Sequence, residues 1–383
     1  MCQSTGSGTP FNFDRNMNIS NIHLSVDGNV CIATIANKAY RVNSLFYRIL
    51  CCMKSGLSLE DSVTQVSAET GTDHGLLSDK FNAFIKTVQQ INSTSYIRCK
   101  RIVIKEKKVN IIAHYLVWLF SRYVFVALLF IGIMTNAIYL GFNRNIWGNP
   151  SHHTIEIGAM VFLGFMLSLI IHELGHATAT ASVGKEAKEI GFGFYMMFPV
   201  FYTDVTSVWC MGKKERILVN VGGVYFQLLV NAIAIGVILI SPLSALTIAL
   251  NGLVISNLLV VIMSATPFFR NDGYWMLSDF LNIPNLLKRS DNALLHPCSQ
   301  QNYDSRSEKY KLLIFGVANN MFRIYVFVRL AFNLHNNLLS VADMTVQNDM
   351  LVIVVGIIFS LIGMYWILMG YYSTFRYGNQ NRY

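Results

Sequence analysis

The sequence predicts an α-helical integral membrane protein with about six transmembrane helices, a small membrane-surface β-hairpin and a small α+β domain of winged-helix type at its N-terminus. Three observations predict this class. Hydrophobic residues make up 53% of the 383 residues and charged residues 13%, and the mean hydropathy is +0.42, which is typical of membrane proteins. Several apolar stretches reach the ~20 residues that a spanning helix needs. A more polar, alternating pattern precedes them.

The first part of the chain predicts a short tail and one small domain. Residues 1–19 are polar and lack the apolar core of a signal peptide, so we expect a flexible N-terminus in the cytoplasm. Residues 20–98 form the domain: NIHLSV and VCIATIA alternate around the turn DGN, and AYRVN follows a second turn, which predicts an antiparallel sheet. Three amphipathic stretches follow; Ser58 is the N-cap and Gly71 the stop of the second, and the third covers 73–90. Three strands followed by three helices indicate the winged-helix type.

The sequence predicts a membrane domain over residues 110–383. Its apolar stretches are 117–141, 155–183, 217–240, 244–265, 312–334 and 350–372. Lysine and arginine cluster before the first span, after the second and after the fourth, whereas 335–349 contains neither. This distribution follows the positive-inside rule for six spans with both termini in the cytoplasm. The net charge of +9 therefore indicates a lipid bilayer as partner and no nucleic acid.

A segment between the second and third spans predicts strands at the membrane surface. The string EIGFGFYMMFPVFYTDVTSVW is interrupted by Gly191, Gly193 and Pro199 and is too polar to be another spanning helix. Aromatic residues alternate along it, which favours a β-hairpin.

The end of the second span carries LSLIIHELGHATATASVG, in which ionisable side chains enter an apolar helix. His172 and His176 are four residues apart, so they lie one turn apart on one helix face and can bind one metal ion. Glu173 lies beside them as a candidate general base, which completes the H-E-x-x-H pattern of zinc metalloproteases. Placing an ionisable group in a membrane span costs about 2.5–3.5 kcal/mol of insertion free energy per group. This cost favours a functional role for the motif over a structural polar cluster.

A catalytic zinc site needs a third protein ligand, and Asp272 in ATPFFRNDGYWMLSDFLNIPNL is the best candidate. The second span runs inward and places His172 ~25 Å from its start, toward the cytoplasmic face. The fourth span also runs inward and ends just before Asp272, so both motifs reach the same face. Asp204 and Asp279 remain alternative third ligands. The predicted cofactor is one Zn2+ per chain.

At these motifs the chain resembles a known family. HELGHA, PVFYTDVTSVW and PFFRNDGYWMLSDFLNIPNL are similar to strings of the site-2-protease-like intramembrane zinc metalloproteases, and within them of the peptide zinc metalloprotease branch. The resemblance covers nearly the whole chain. It implies that His172, His176 and Asp272 bind zinc and that Glu173 is the catalytic base.

The chain departs from this family at one place. The family pattern has Asn-Pro before the Asp-Gly pair, where this chain has Thr266-Pro267. The family asparagine helps to hold the substrate or the developing oxyanion. Thr266 and Asn257, which lies two to three turns earlier in the same span, are therefore the candidate substrate-binding residues.

The N-terminal domain carries a second resemblance. Its element order and its YRVN-x-x-FYRIL string resemble the PqqD-like domains that hold leader peptides of ribosomally made natural products. Together the resemblances imply a zinc metalloendopeptidase of a bacterial inner membrane that cuts a precursor peptide during maturation or export. A peptide exporter or a peptide-modifying enzyme is a further expected partner.

Other functions stay open at this stage. The same chemistry could cleave a membrane-anchored regulator, or the chain could be a non-catalytic peptide-binding export subunit. A metal transporter is disfavoured, because transporters hold their ligands near the midplane and commonly contain inverted repeats. Here the predicted ligands lie near one face and no repeat is visible.

Overall fold

A computed structural model describes residues 22–27, 30–35, 38–92, 97–142, 155–195, 198–241, 244–295, 305–342 and 350–380. The predicted flexible segment 1–19 lies outside the described residues. The chain divides into two compact units, Met1–Ala265 and Thr266–Tyr383. The helix that carries both histidines of the HELGH motif belongs to the first unit.

Three strands and three helices form the N-terminal part of the first unit. β1 (His23–Asp27), β2 (Val30–Ile35) and β3 (Lys38–Val42) form an antiparallel sheet in this order, followed by α1 (Ser44–Lys54), α2 (Leu59–Thr70) and α3 (His74–Asn92). Local caps set the limits of α2: the Ser58 side chain accepts a backbone hydrogen bond, and Gly71 takes a left-handed φ of 66°. One apolar cluster that includes Ala33, Val66 and Phe81 joins the sheet to the helices. The winged-helix assignment stays a prediction.

Four long apolar helices follow in the first unit: α5 (Arg122–Phe142), α6 (Ile155–Ser182), α7 (Lys213–Ile240) and α8 (Ala245–Ala265). Each contains a segment long and apolar enough to cross a membrane. The first of them begins later than the predicted span 117–141. A separate helix α4 (Glu106–Leu116) and a 3-10 helix (Val117–Phe120) come first, and Ser121, with an extended backbone at φ −62° and ψ 138°, separates them from α5.

Glycines bring α6 and α7 into direct contact. A Cβ added to Gly222 would lie 2.5 Å from the Gly175 carbonyl oxygen, and one added to Gly175 would overlap the Gly222 carbonyl group. The two backbones therefore touch, as small residues allow between membrane helices. This contact fixes the distance between the histidine motif on α6 and the polar side chains of α7.

A second sheet contacts the helix that carries the histidines. β5 (Glu189–Tyr195) and β6 (Phe198–Thr203) form the predicted hairpin, and β4 (Ile97–Lys105) adds a third antiparallel strand in the order β4-β5-β6. β4 is not among the predicted strands, because its partner lies far away in sequence and its basic residues indicate only a segment next to the membrane. Among the described residues, β6 is an edge strand, and it contacts α6.

The second unit is helical where it is described. Its helices are α9 (Asp272–Leu281), α10 (Leu286–Leu295), α11 (Arg306–Ala342) and α12 (Met350–Gln380). Buried Tyr274, Leu286 and Leu312 form one apolar cluster, and an ion pair of 2.7 Å joins Arg289 to Glu308. α11 and α12 each contain an apolar segment long enough to cross a membrane. The described residues therefore contain six such helices, in agreement with the prediction.

Candidate metal centre

Two imidazole rings meet on one face of α6. His172 and His176 are each 7% exposed, their ring centroids are 4.8 Å apart, and their Nε2 atoms are 3.1 Å apart. The apolar run MVFLGFMLSLII builds the helix before them, so the ionisable residues occupy its later turns. The predicted juxtaposition of the two histidines is therefore present in the structure.

The Nδ1 atom of each ring has a partner on α7. His172 Nδ1 lies 3.0 Å from Gln227 Oε1, and His176 Nδ1 lies 2.8 Å from the Val219 carbonyl oxygen. A carbonyl oxygen only accepts, so Nδ1 of His176 carries the proton. The amide oxygen of Gln227 faces Nδ1 of His172, which gives His172 the same tautomer. In neutral rings the Nε2 lone pairs then face each other. Two lone pairs cannot hydrogen-bond to one another, whereas a cation satisfies both.

This donor set fits a zinc ion. Zn–N bonds of ~2.0–2.1 Å at tetrahedral angles place two nitrogens about 3.3 Å apart, close to the separation of the two Nε2 atoms. Gly223 borders the same space, since a Cβ added there would lie 2.5 Å from both Nε2 atoms. Any side chain at this position would fill the space that the lone pairs face. The hydrogen bonds to Nδ1 orient the rings in the way that partners of metal-ligating histidines do.

Glu173 is held by the edge strand of the second sheet. The hydroxyl of Thr203, the last residue of β6, lies 2.8 Å from Glu173 Oε2 and 2.9 Å from the Glu173 carbonyl oxygen. The half-buried carboxylate is therefore fixed through one oxygen. Its other oxygen, Oε1, is the atom that can take a proton.

A chain of buried amides runs between the helices. Asn257 Nδ2 donates to Asn231 Oδ1 at 3.0 Å, and Asn231 Nδ2 donates to Asn136 Oδ1 at 2.8 Å. Asn136 Nδ2 donates in turn to the Gly132 carbonyl oxygen at 2.8 Å. The three asparagines lie on α8, α7 and α5 and are at most 3% exposed. Asn257, a predicted substrate-binding residue, thus lies inside the helix packing.

Asp204, one of the alternative third ligands, closes the turn after β6. Its carboxylate accepts hydrogen bonds from the Thr206 N–H at 3.1 Å and from the Thr206 hydroxyl at 2.5 Å. The Lys188 ammonium group lies 4.0 Å from its second oxygen. These contacts give Asp204 a structural role in the hairpin.

The remaining predicted site residues belong to the second unit. Asp272 is the half-buried first residue of α9 and follows Asn271, the N-cap residue. A carboxylate in the first turn is favoured by the helix dipole. Asp279 lies near the end of the same helix and is 7% exposed. Thr266 is half-buried and precedes α9.

A half-buried tyrosine stabilises the hairpin next to Glu173. The Tyr202 hydroxyl donates to Glu189 Oε1 at 3.0 Å, and Lys100 on β4 lies 5.1 Å from the ring centroid. Burial, and secondarily this hydrogen bond, raises the pKa of Tyr202 to about 12. The phenol therefore stays protonated at neutral pH and keeps donating. Gly191 on β5 has no side chain, which leaves room for the ring.

Several contacts of the centre lie outside the predicted site: the Thr203 hydroxyl, the Gln227 amide, the Val219 carbonyl and the space at Gly223. Gln227 could have been suspected, because it is one of two amides, with Asn231, in the apolar string GGVYFQLLVNA. Thr203 lies inside PVFYTDVTSVW, but nothing in that string indicates contact with Glu173. These partners depend on how α7 and β6 pack on α6, which a single sequence does not reveal.

Comparison with known proteins finds a partial similarity to a curated bacterial protein. The chain is 25% identical over 142 residues to a protein of Bacillus subtilis (strain 168) named "Putative peptide zinc metalloprotease protein YydH". The match covers 36% of this chain and 53% of that protein, so the chain spans about half the length of the relative. No protein-family model and no solved structure matches the chain. The similarity makes the peptide zinc metalloproteases the broad class that this chain resembles.

Proposed function

We propose that the chain is a membrane-embedded zinc metalloendopeptidase of site-2-protease-like type that hydrolyses a ribosomally made precursor peptide during maturation or export. The observation that carries the proposal is the pair of buried Nε2 atoms 3.1 Å apart on α6. Their Nδ1 atoms are both engaged on α7, which suits both rings to metal binding. The name of the Bacillus relative supports a peptide substrate.

We assign the third metal ligand to Asp272. Its carboxylate would complete a candidate set of two imidazoles and one carboxylate, which is a common catalytic zinc set. Asp204 is a weaker choice, because its carboxylate is already bound in the turn after β6. Thr266 and Asn257 remain the candidates for holding the substrate, and Thr266 is the better one, because Asn257 is buried and its amide nitrogen is bound to Asn231.

The general base in this proposal is Glu173. A bound zinc ion would acidify the attacking water and polarise the peptide carbonyl group. Glu173 accepts the proton of that water at Oε1 and delivers it to the nitrogen of the leaving amine. Thr203 holds the other carboxylate oxygen, so the carboxylate keeps one orientation through both transfers.

The substrate would be extended along β6. The Asp204 N–H donates to the Glu189 carbonyl oxygen at 3.0 Å. In an antiparallel pair, successive residues of one strand point their backbone N–H and C=O groups alternately toward the partner strand and away from it. The backbone groups of Thr203 and Phe201 therefore point away from β5. Pro199, which has no N–H, occupies the third outward position, as expected for an edge strand. A peptide added at this edge exposes its carbonyl groups, whereas a helix keeps them in its own hydrogen bonds.

The N-terminal domain would recruit the leader of this peptide. Its sheet contacts the 3-10 helix Thr206–Cys210, which follows β6 directly. A leader held by residues 20–98 would therefore start close to the proposed cleavage strand. The chain would lie in a bacterial inner membrane with both termini in the cytoplasm, and the positive-inside pattern supports this orientation. A peptide exporter or modifying enzyme would handle the product.

Zinc content and peptide cleavage, measured on purified wild-type and Glu173→Gln protein in detergent, test the proposal. The probes are the precursor peptides encoded beside the gene and single-span membrane proteins from the same region. We expect about one zinc ion per chain in both proteins. Cleavage of the precursor peptide should fall by about 10²–10⁴-fold in the variant, because general-base catalysis contributes that much.

The other outcomes separate the alternative functions. Zinc in both proteins with equal peptide binding and no cleavage by either would establish a non-catalytic export subunit. Cleavage of a membrane-anchored probe alone would favour regulated intramembrane proteolysis. A wild-type protein without zinc would refute the metal centre.

A further inference from the structure

Helix α4 buries one face against α6 and leaves the opposite face exposed. Val109 and Ala113, one turn apart, are 0% exposed, and they share an apolar cluster with Ala177 near the end of α6. Ile111 lies about 200° around the helix from Val109, because successive residues are ~100° apart. Its side chain is 49% exposed, and that of Tyr115, one turn later, is 78% exposed. The described part of the chain therefore leaves an apolar surface of α4 uncovered.

The exposed apolar side chains form one stripe. Ile111 and Tyr115 are four residues apart and share a helix face, and Trp118, in the 3-10 helix that follows α4, is 59% exposed. We call Ile111, Tyr115 and Trp118 the α4 stripe. Amphipathic helices at a membrane surface bury such side chains at the boundary between headgroups and acyl chains, where tyrosine and tryptophan are enriched.

The packing of the spans places α4 at the edge of the hydrocarbon core. The spanning segment of α5, Arg122–Gly141, has 20 residues, the length that crosses the core, so its first residue marks one edge. Phe125, one turn later, contacts Tyr225 of α7 with ring centroids 4.9 Å apart. The first and third spans run in the same direction, so this edge lies one turn before Tyr225, at Gly222, which touches Gly175 of α6. The last turns of α6, on which α4 packs, therefore lie at the level of the headgroups.

Lysines lie on both edges of the α4 stripe. With residues ~100° apart around the helix, Lys107 lies on one side of Ile111 and Lys108 on the other. Both lysines are exposed. The carboxylates of Glu106 and Glu186 line a groove on the Lys107 side, so a headgroup that enters this groove meets charges of both signs.

The strand before α4 adds to the positive charge. β4 ends at Lys105, which is the N-cap residue of α4, so the strand and the helix are directly connected. Residues 100–116 contain five basic residues and one acidic residue, which gives a net formal charge of +4. The basic residues, all of them exposed, are Lys100, Arg101, Lys105, Lys107 and Lys108. The sign of this charge complements an anionic membrane surface.

We propose that α4 lies in the membrane interface and binds anionic phospholipid headgroups. The α4 stripe enters the boundary region of the bilayer, and the lysines on its edges reach the headgroup phosphates. The position of α4 at the end of the spans, together with the basic residues beside the stripe, favours lipid over a protein partner as the occupant. The inference depends on the membrane spans and not on the protease activity.

This contact anchors the second sheet at the membrane surface. β4 pairs with β5, and β5 pairs with β6. The last residue of β6, Thr203, binds Glu173. The lipid-bound helix is therefore connected through three adjacent strands to the HELGH motif.

The test measures quenching of Trp118 fluorescence by brominated lipids. The probe is a full-length chain in which the other four tryptophans are replaced by phenylalanine, placed in nanodiscs of phosphatidylcholine and phosphatidylglycerol. Bromine on one lipid or the other gives the relative affinity of the two lipids at Trp118. Both lipids should quench, and phosphatidylglycerol should be preferred. Lys107→Gln/Lys108→Gln should lower this preference about fivefold or more, because one lysine near an anionic surface contributes about 1 kcal/mol.

The matched control is Lys54→Gln/Lys80→Gln, which removes two exposed lysines from α1 and α3. It should leave the preference unchanged, and quenching by brominated phosphatidylcholine should be equal in all three chains if the fold is intact. If neither lipid quenches Trp118, a protein covers the α4 stripe and the inference is wrong. A preference that is absent, or that survives the loss of both lysines, would overturn headgroup binding. No readout needs zinc or cleavage, so the inference and the proposed function can fail separately.

Discussion

Thr203 shows how one hydroxyl connects a strand to the HELGH motif. It contacts Glu173 Oε2 at 2.8 Å, and hydrogen bonds to charged groups contribute about 1.5–3 kcal/mol. We expect Thr203→Val to lower kcat by roughly tenfold or more, with KM changed much less, because the carboxylate loses its fixed orientation. Thr203→Ser should restore most of the rate. Steady-state kinetics with the precursor peptide measure both parameters, and zinc content should stay at the wild-type level.

Thr178→Val is the control for this residue. Its hydroxyl donates only to the Leu174 carbonyl oxygen of its own helix, at 2.8 Å, so its loss should leave kcat nearly unchanged. An equal loss in Thr178→Val, or no rescue by Thr203→Ser, would indicate a general packing defect. The orientation of Glu173 would then have another origin.

At the scale of an element, strand β6 makes a specific prediction about substrate binding. The Phe201 N–H points away from β5, so Phe201→Pro removes a donor from the outer edge while the pairing with β5 stays intact. We expect KM for the precursor peptide to rise roughly five- to tenfold, since one hydrogen bond contributes about 1 kcal/mol or slightly more. The kcat value should change little, because Glu173 keeps its contact with Thr203.

The control for this element is Phe201→Ala. Both variants lose the ring, whose centroid lies 5.5 Å from that of Phe192, but only proline removes the N–H. If both raise KM equally, the ring binds the peptide and the strand edge does not. If neither does, substrate addition along β6 is wrong.

The elements also show which parts of the structure a single sequence contains. The apolar lengths and the caps at Ser58 and Gly71 are local signals, so the spans and the N-terminal helices could be predicted. The i, i+4 spacing of the histidines is equally local. Strand β4, the Thr203 contact and the Gln227 contact depend on partners far away in sequence. Only packing brings such groups together, so no window of the sequence contains them.

At the scale of the whole molecule, the basic residues predict on which side of the membrane the candidate centre lies. Successive transmembrane helices cross the membrane in opposite directions. The side of the membrane on which one residue outside the spans lies therefore gives the orientation of all six spans. If the N-terminal domain is cytoplasmic, the second span runs inward and His172 lies toward the cytoplasm. A precursor peptide would then reach Glu173 directly from the ribosome side.

Cys99 on β4 is a suitable reporter of this orientation, because its side chain is exposed. Cys51 is exposed as a residue, but partial burial of its thiol group raises its pKa. Because the thiolate is the reacting form, Cys51 would react more slowly. In a chain that retains only Cys99, a membrane-impermeant maleimide should label inverted vesicles and leave intact cells unlabelled. A single cysteine from Val346→Cys, in the predicted outer loop, should show the opposite pattern. Labelling of Cys99 in intact cells would show that the topology is the reverse of the predicted one. The precursor peptide would then have to reach the candidate centre from the outer face.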